Sequence, residues 1–139
     1  MKNFIANIFE LWGSCYFGDF SKYMYKADLY GEVALWTILI PLIVFFVYYK
    51  PLDHIRLAKT GIWAFILIVV SLITALIAWN IADTGIGDYL VQNKIKKHNI
   101  IPVDYFWFSF IVFIYTAIIS FIFSFIFKFG ASKARRIPF

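Results

Sequence analysis

A chain of 139 residues with 63% hydrophobic and only 15% charged residues has too little polar material to clothe a water-soluble surface, since soluble domains carry about 25% charged residues. Its apolar residues are bunched into long runs, the arrangement of a membrane protein rather than of a soluble core. The formal net charge of +5 does not indicate nucleic acid, because the basic residues lie in short groups beside the apolar runs, where membrane proteins keep them.

In chain order, the first patterned piece lies in the N-terminal segment 1–32. Phe4, Ile5, Ile8, Phe9, Leu11 and Trp12 share one helical face, and Asn3, Asn7 and Glu10 share the other. This spacing predicts a short amphipathic helix lying in the plane of the membrane interface. The run 4–12 is too short and too interrupted to be the apolar region of a signal peptide, and no small-residue cleavage site follows it. The lone Cys15 has no partner for an internal disulfide and reads as a small buried or interfacial thiol.

Three runs at 33–49, 62–81 and 105–127 contain no Asp, Glu, Lys, Arg or His. A helix rises 1.5 Å per residue, so about 20 residues cross a hydrocarbon core of about 30 Å. Each central Leu, Ile, Val or Phe favours insertion by about 0.3–0.6 kcal/mol, and each charge would oppose it by about 2.5–3.5 kcal/mol. All three runs are therefore expected to insert. The first is short unless Leu29 and Tyr30 enter with it; it contains Pro41, expected to bend it, and Lys50-Pro51 ends it. Tyr30, Trp36, Tyr48, Tyr49, Trp63, Trp79, Tyr105 and Trp107 fall where interfacial aromatic residues belong. Asp104 suits an N-cap to the third span, with Pro102 marking the break before it.

The segment 82–104 reads as a weakly amphipathic loop. Leu90, Val91 and Ile95 oppose Asn93, Lys94 and Lys97, and Gly85, Gly87 and Pro102 act as hinges. The segment 128–139 is a basic tail. The expected architecture is thus a single all-α integral membrane domain, with three transmembrane helices and a short N-terminal interfacial amphipathic helix.

Three spans place the N-terminus and 82–104 on one side, and 50–61 and the tail on the other. The second side holds Lys50, Arg56, Lys59, Lys128, Lys133, Arg135 and Arg136; the first holds Lys2, Lys22, Lys26, Lys94, Lys96 and Lys97. The balance of Lys and Arg favours a cytoplasmic C-terminus and an external N-terminus.

Catalysis within a membrane needs polar groups converging at one depth. His54 and His98 fall in loops expected on opposite sides, no His or Cys pair has metal-ligand spacing, and Asp83 and Asp88 read as solvated loop carboxylates. Lys94, Lys96, Lys97 and His98 read as a wet basic patch, with lipid or partner contact as the alternative. Neither an enzyme nor a cofactor or metal site is expected. The informative pattern is a pair of small-residue stripes. Ser109, Thr116, Ser120 and Ser124, extended by Ala117, share one face of the third helix; Ala64, Ser71, Thr74, Ala75 and Ala78 share one face of the second. Lipid supplies no hydrophobic drive between helices, so close approach through small side chains and weak hydroxyl bonds must supply the association. The stripes are accordingly candidate helix-packing or oligomer interfaces, either within one chain or between chains; a hydroxyl-lined pore is a third reading. Tyr115, on another face at mid-depth, wants a hydrogen-bond partner. In the tail, Lys133, Arg135 and Arg136 are candidates for contact with anionic lipid or a cytoplasmic partner, and Pro138-Phe139 adds an apolar end.

Asp28-Leu29-Tyr30-Gly31 entering the first span, Tyr48-Tyr49 followed by Pro51 and Arg56, and the tail from Ser132 to Phe139 resemble a family of small three-span inner-membrane proteins of Bacteroidota. That resemblance covers about a third of the chain. It implies envelope localisation, brings no catalytic residues, and points to membership of a multi-subunit secretion or contractile injection apparatus. The topology is also similar to that of three-span phage holins, although the N-terminal segment and the 82–104 segment are longer than a minimal hole-former needs. Two functions follow. One is a non-catalytic membrane subunit whose partners are lipids, other copies of itself or other membrane-complex subunits. The other is a self-assembling permeabiliser, whether holin-like, toxin or small channel.

Overall fold

The computed structural model describes residues 2–11, 13–50, 60–95 and 99–128. Trp12, Pro51, His54, Arg56, Lys59, Lys96, Lys97, His98 and the tail with Lys133, Arg135, Arg136 and Pro138-Phe139 lie outside the described residues. Five helices follow one another: α1 (Lys2–Phe9), α2 (Asp19–Lys26), α3 (Leu29–Tyr49), α4 (Thr60–Gln92) and α5 (Pro102–Lys128). No strand occurs among the described residues.

Three of the helices, α3, α4 and α5, are long and apolar enough to cross a membrane, which is the architecture of a multi-pass membrane protein. Their 21, 33 and 27 residues contain the three charge-free runs and extend beyond each. Leu29 and Tyr30 do enter α3, and the helix continues through Pro41, which contributes no N–H to the ladder. At 33 residues α4 is about 50 Å long, well beyond a hydrocarbon core of about 30 Å.

Helix α4 corrects the reading of 82–104 as a loop. Gly85 and Gly87 are not hinges but lie inside the helix, as do Asp83 and Asp88. The helix persists because Ala78, Ala82 and Ile86, spaced four apart, are all buried, so the packing stripe runs on past the last apolar run. Asp83, Thr84, Gly87 and Asp88 are exposed on its other side. Thr84 keeps the ladder closed by donating to the Asn80 carbonyl at 2.7 Å. At the end, Lys94 takes a positive φ of 53°. The Lys94 N–H bonds the Val91 carbonyl and the Ile95 N–H bonds the Leu90 carbonyl, the paired bonds of a Schellman stop.

Asp104 is also placed differently. Helix α5 opens at Pro102, the first-turn position that needs no N–H partner. Asp104 is therefore the third helical residue, and its carboxylate reaches back to accept the Ile101 N–H at 3.1 Å. This is the return half of a capping box, not an N-cap.

The short helix α2 has no counterpart in the expected architecture. Phe20, Ser21, Tyr23 and Met24 are buried, an i, i+1, i+3, i+4 face, with Asp19 in the first turn and Lys26 in the last. Gly18 precedes it at φ 56°, a conformation glycine adopts without strain, and Asp28 ends it at φ 60°.

The chain divides into two compact bodies, each described here by itself. The first is Met1–Trp36 with Ala75–Val112; the second is Thr37–Thr74 with Phe113–Phe139. The first is an aromatic cluster. The Phe20 ring, fully buried, meets Tyr105 at 5.0 Å and Phe108 at 5.4 Å, and Phe9 packs on Tyr30 at 6.2 Å and Phe108 at 6.0 Å. The second is centred on Phe45, Tyr48 and Tyr49, with Trp63, Ile66, Leu67, Phe123 and Phe127 packed against them.

Candidate functional site

The predicted small-residue positions are buried within the chain itself. In the second body Ser71, Thr74, Thr116, Ser120 and Ser124 are all at most 1% exposed, so they are turned away from the lipid-facing surface. In the first body Ala78 and Ser109 are buried and Ala75 is half-buried. The outward faces of the same helices carry large apolar side chains instead: Ile38 and Ile43 on α3, Phe65 and Leu76 on α4, Ile118 and Phe125 on α5. Hydroxyls inside and hydrocarbon outside is the inverse of a soluble helix bundle, and it is what acyl chains require of their solute.

Within the second body one of these hydroxyls is a focus. The Trp63 indole N–H donates to Ser124 Oγ at 2.7 Å, and the Tyr49 hydroxyl shares a bond with the same oxygen, also at 2.7 Å. One small side chain on α5 thus satisfies the polar ends of two aromatic residues on α3 and α4. Tyr48, Tyr49 and Trp63 entered the sequence reading as interfacial aromatics, yet Tyr48 and Tyr49 are buried, with Tyr49 fully so. Ser71 and Thr74 instead bond the carbonyls one turn back on α4, Leu67 and Val70, both at 2.9 Å. Ser120 Oγ in this body and Ser109 Oγ in the first are buried with no hydrogen-bond partner.

In the first body Asn3 and Asn7 are exposed, as the amphipathic pattern predicts, and Glu10 is half-buried. Glu10 belongs to the face expected to point to water, yet its Oε1 accepts the Tyr30 hydroxyl at 2.6 Å. Helix α1 is turned so that Ala6 and Phe9 are buried while Phe4 is 63% exposed, and the helix stops at Phe9, with Leu11 at φ 48°. The aromatic surface of α3 and α5 captures Phe9, and that rotates Glu10 inward. The Tyr25 hydroxyl donates to Asn3 Oδ1 at 2.5 Å, and the Asn99 N–H donates to Asp19 Oδ2 at 3.2 Å.

Between α1 and α2 these residues leave an open cleft of about 460 Å3, lined by Asn3, Asn7, Glu10, Tyr16, Lys22 and Lys26 among others. Its walls combine apolar surface with polar side chains, among them two ammonium groups and one carboxylate. No signal in the sequence pointed to it, because the residues of its second wall lie on the helix that the sequence reading left out. The cleft combines charged and amide side chains suited to holding a small polar group.

Comparison of the chain with protein-family models, with curated proteins and with solved structures finds no match.

Proposed function

We propose that this protein is a non-catalytic subunit of a larger assembly in a bacterial inner membrane, with its N-terminus outside and its C-terminus in the cytoplasm. The observation that carries this reading is the sorting of side chains on the three long helices. Within the apolar runs Ser71, Thr74, Ser109, Thr116, Ser120 and Ser124 are buried inside the chain, and the large side chains exposed there are apolar. Such a chain is self-sufficient in the bilayer and offers its membrane-exterior parts, the α1–α2 segment and the tail, for contact. The resemblance of its entry motif and basic tail to three-span envelope proteins supports placing it in a secretion or contractile injection apparatus. In the same reading α1 lies at the interface, with Phe4 toward lipid.

A permeabiliser would have to line a pore between copies with the hydroxyls of Ser71, Thr116 and Ser120. That means exchanging the burial they have within one chain for exposure to water. Induced expression in a bacterial host separates the two functions. A subunit leaves the membrane potential unchanged and brings defined envelope proteins with it on mild-detergent purification. Rapid depolarisation that Ser120→Leu abolishes would overturn the proposal and establish the permeabiliser.

A further inference from the structure

We propose that the cleft between α1 and α2 is a phospholipid-headgroup site, in which Lys22 and Lys26 hold the phosphate and Glu10 receives the ammonium of an ethanolamine headgroup. This rests on the chain being a membrane protein and not on its membership of any assembly.

The cleft lies beside the entry to the first spanning helix. Lys26 closes α2 and Leu29 opens the first spanning helix, so only two residues separate the cleft wall from the membrane segment. The opposite wall is pinned at the same level, because Glu10 accepts its bond from Tyr30, the second residue of that spanning helix. A cleft held against the first turn of a transmembrane helix sits at headgroup depth, where Tyr and Lys side chains bridge apolar and wet surroundings. Tyr16 and Tyr25, both exposed, flank it.

The cleft also carries charge of both signs. Lys22 and Lys26 are one helical turn apart and both line the cleft, and Lys22, whose Nζ stands 6.0 Å from the Tyr23 ring centroid, and Lys26 have the reach to donate to one phosphate there. A pure anion site would have no use for a carboxylate in its wall. Glu10 lines the same cleft with one oxygen committed to Tyr30, which leaves the other as an acceptor facing a cation or donor. Asn3 gives its carbonyl oxygen to Tyr25, so its amide N–H groups remain as donors. Two cations, one anion and amide donors complement a zwitterion carrying phosphate at one end and a hydrogen-bond-donating ammonium at the other. A choline headgroup matches the lysines but has no N–H to give Glu10. A glycerol headgroup has only hydroxyls to give it. The volume, about 460 Å3, is in the range of small-molecule clefts.

The test is native mass spectrometry of the purified full chain in detergent, titrated with phosphatidylethanolamine, phosphatidylcholine or phosphatidylglycerol of identical acyl chains, and with free phosphoethanolamine. The unaltered protein should bind the ethanolamine lipid about tenfold more tightly than the choline lipid, the scale of one hydrogen bond between charged groups. Glu10→Gln keeps an oxygen for Tyr30 and should abolish that preference while leaving choline-lipid binding intact. Lys22→Gln with Lys26→Gln should weaken both lipids, and Lys22→Arg with Lys26→Arg should restore them. Circular dichroism of each variant verifies that the helices persist. Equal binding of ethanolamine and choline lipids by the unaltered protein, or tighter binding of the glycerol lipid, would overturn the assignment. So would lysine variants that bind as before. Free phosphoethanolamine binding as tightly as the lipid would make the ligand a soluble phosphoamine instead.

Discussion

The two bodies of this chain are held together by different physics. In the first, the short helices α1 and α2 bring Phe9 and Phe20 onto Tyr30, Tyr105 and Phe108, and polar bonds such as Tyr25–Asn3 and Tyr30–Glu10 close its edges. With α1 and α2 at the interface, as proposed, burying those rings takes apolar surface from a boundary that water reaches, so the hydrophobic effect acts there. In the second, every element is a spanning helix, and lipid tails are as apolar as the side chains they would replace. Cohesion must come from close packing and from bonds such as those converging on Ser124. The difference teaches where each kind of substitution should hurt.

The largest effect is expected from Phe20→Ala. This fully buried ring touches Tyr105 and Phe108, and its loss should destabilise the first body by about 3–5 kcal/mol, read as reduced thermal stability in detergent. Should the loss stay near 1 kcal/mol, the aromatic cluster is not what holds α2 in place.

Next comes Ser124→Ala, which removes the acceptor of the Trp63 N–H and the Tyr49 hydroxyl's bond to the same oxygen, and should cost about 1–3 kcal/mol. Ser120→Ala sharpens the comparison on the same helix. Ser120 Oγ is buried without a partner, so its removal should be neutral to within about 0.5 kcal/mol or mildly stabilising. Equal losses for the two serines would show that hydroxyl bonding does not distinguish them.

A smaller effect is expected at Gly85. A Cβ there would stand 2.7 Å from Leu29 Cδ1, and closer still to Cδ2, so the Leu29 side chain must shift to admit it. Gly85→Ala gains about 1 kcal/mol of helix propensity and loses a comparable amount through displacement of the Leu29 side chain. The double variant with Leu29→Ala should be more stable than the sum of the two single changes by about 1 kcal/mol in a double-mutant cycle. Additive losses would mean the two positions do not press on each other. The smallest change should be Tyr25→Phe, whose bond to Asn3 is exposed and worth less than about 0.5 kcal/mol in the same assay.

The three spans were legible in the sequence because insertion depends on summed hydropathy, which needs no tertiary information. The extent of α4 was not. Asn80, Asp83, Gly85 and Gly87 are locally loop-like, and only the continuation of Ala78 into Ala82 and Ile86 betrays a packing stripe that outweighs them. Helix α2 was missed because its Phe20, Tyr23, Met24 face is short and lies among charged and hydroxyl residues. The rotation of α1 was beyond sequence reasoning. Its amphipathic pattern fixes which residues are apolar, while the partner surface around Tyr30 and Phe108 selects which of them turn inward. The cleft inherits both omissions, since its walls are α1 and α2.

Within their apolar runs the spanning helices keep Ser71, Thr74, Thr116, Ser120 and Ser124 inside and turn large apolar side chains outward. Spin labels on single cysteines in a Cys15→Ser background, reconstituted in vesicles, test this sorting most directly. Labels at Phe65, Leu76 and Ile118 should be mobile and accessible to oxygen but not to a water-soluble nickel chelate, while labels at Ser71 and Thr116 should be immobile and shielded from both. Nickel accessibility at Ser71 and Thr116, with Phe65 and Ile118 immobile, would contradict it.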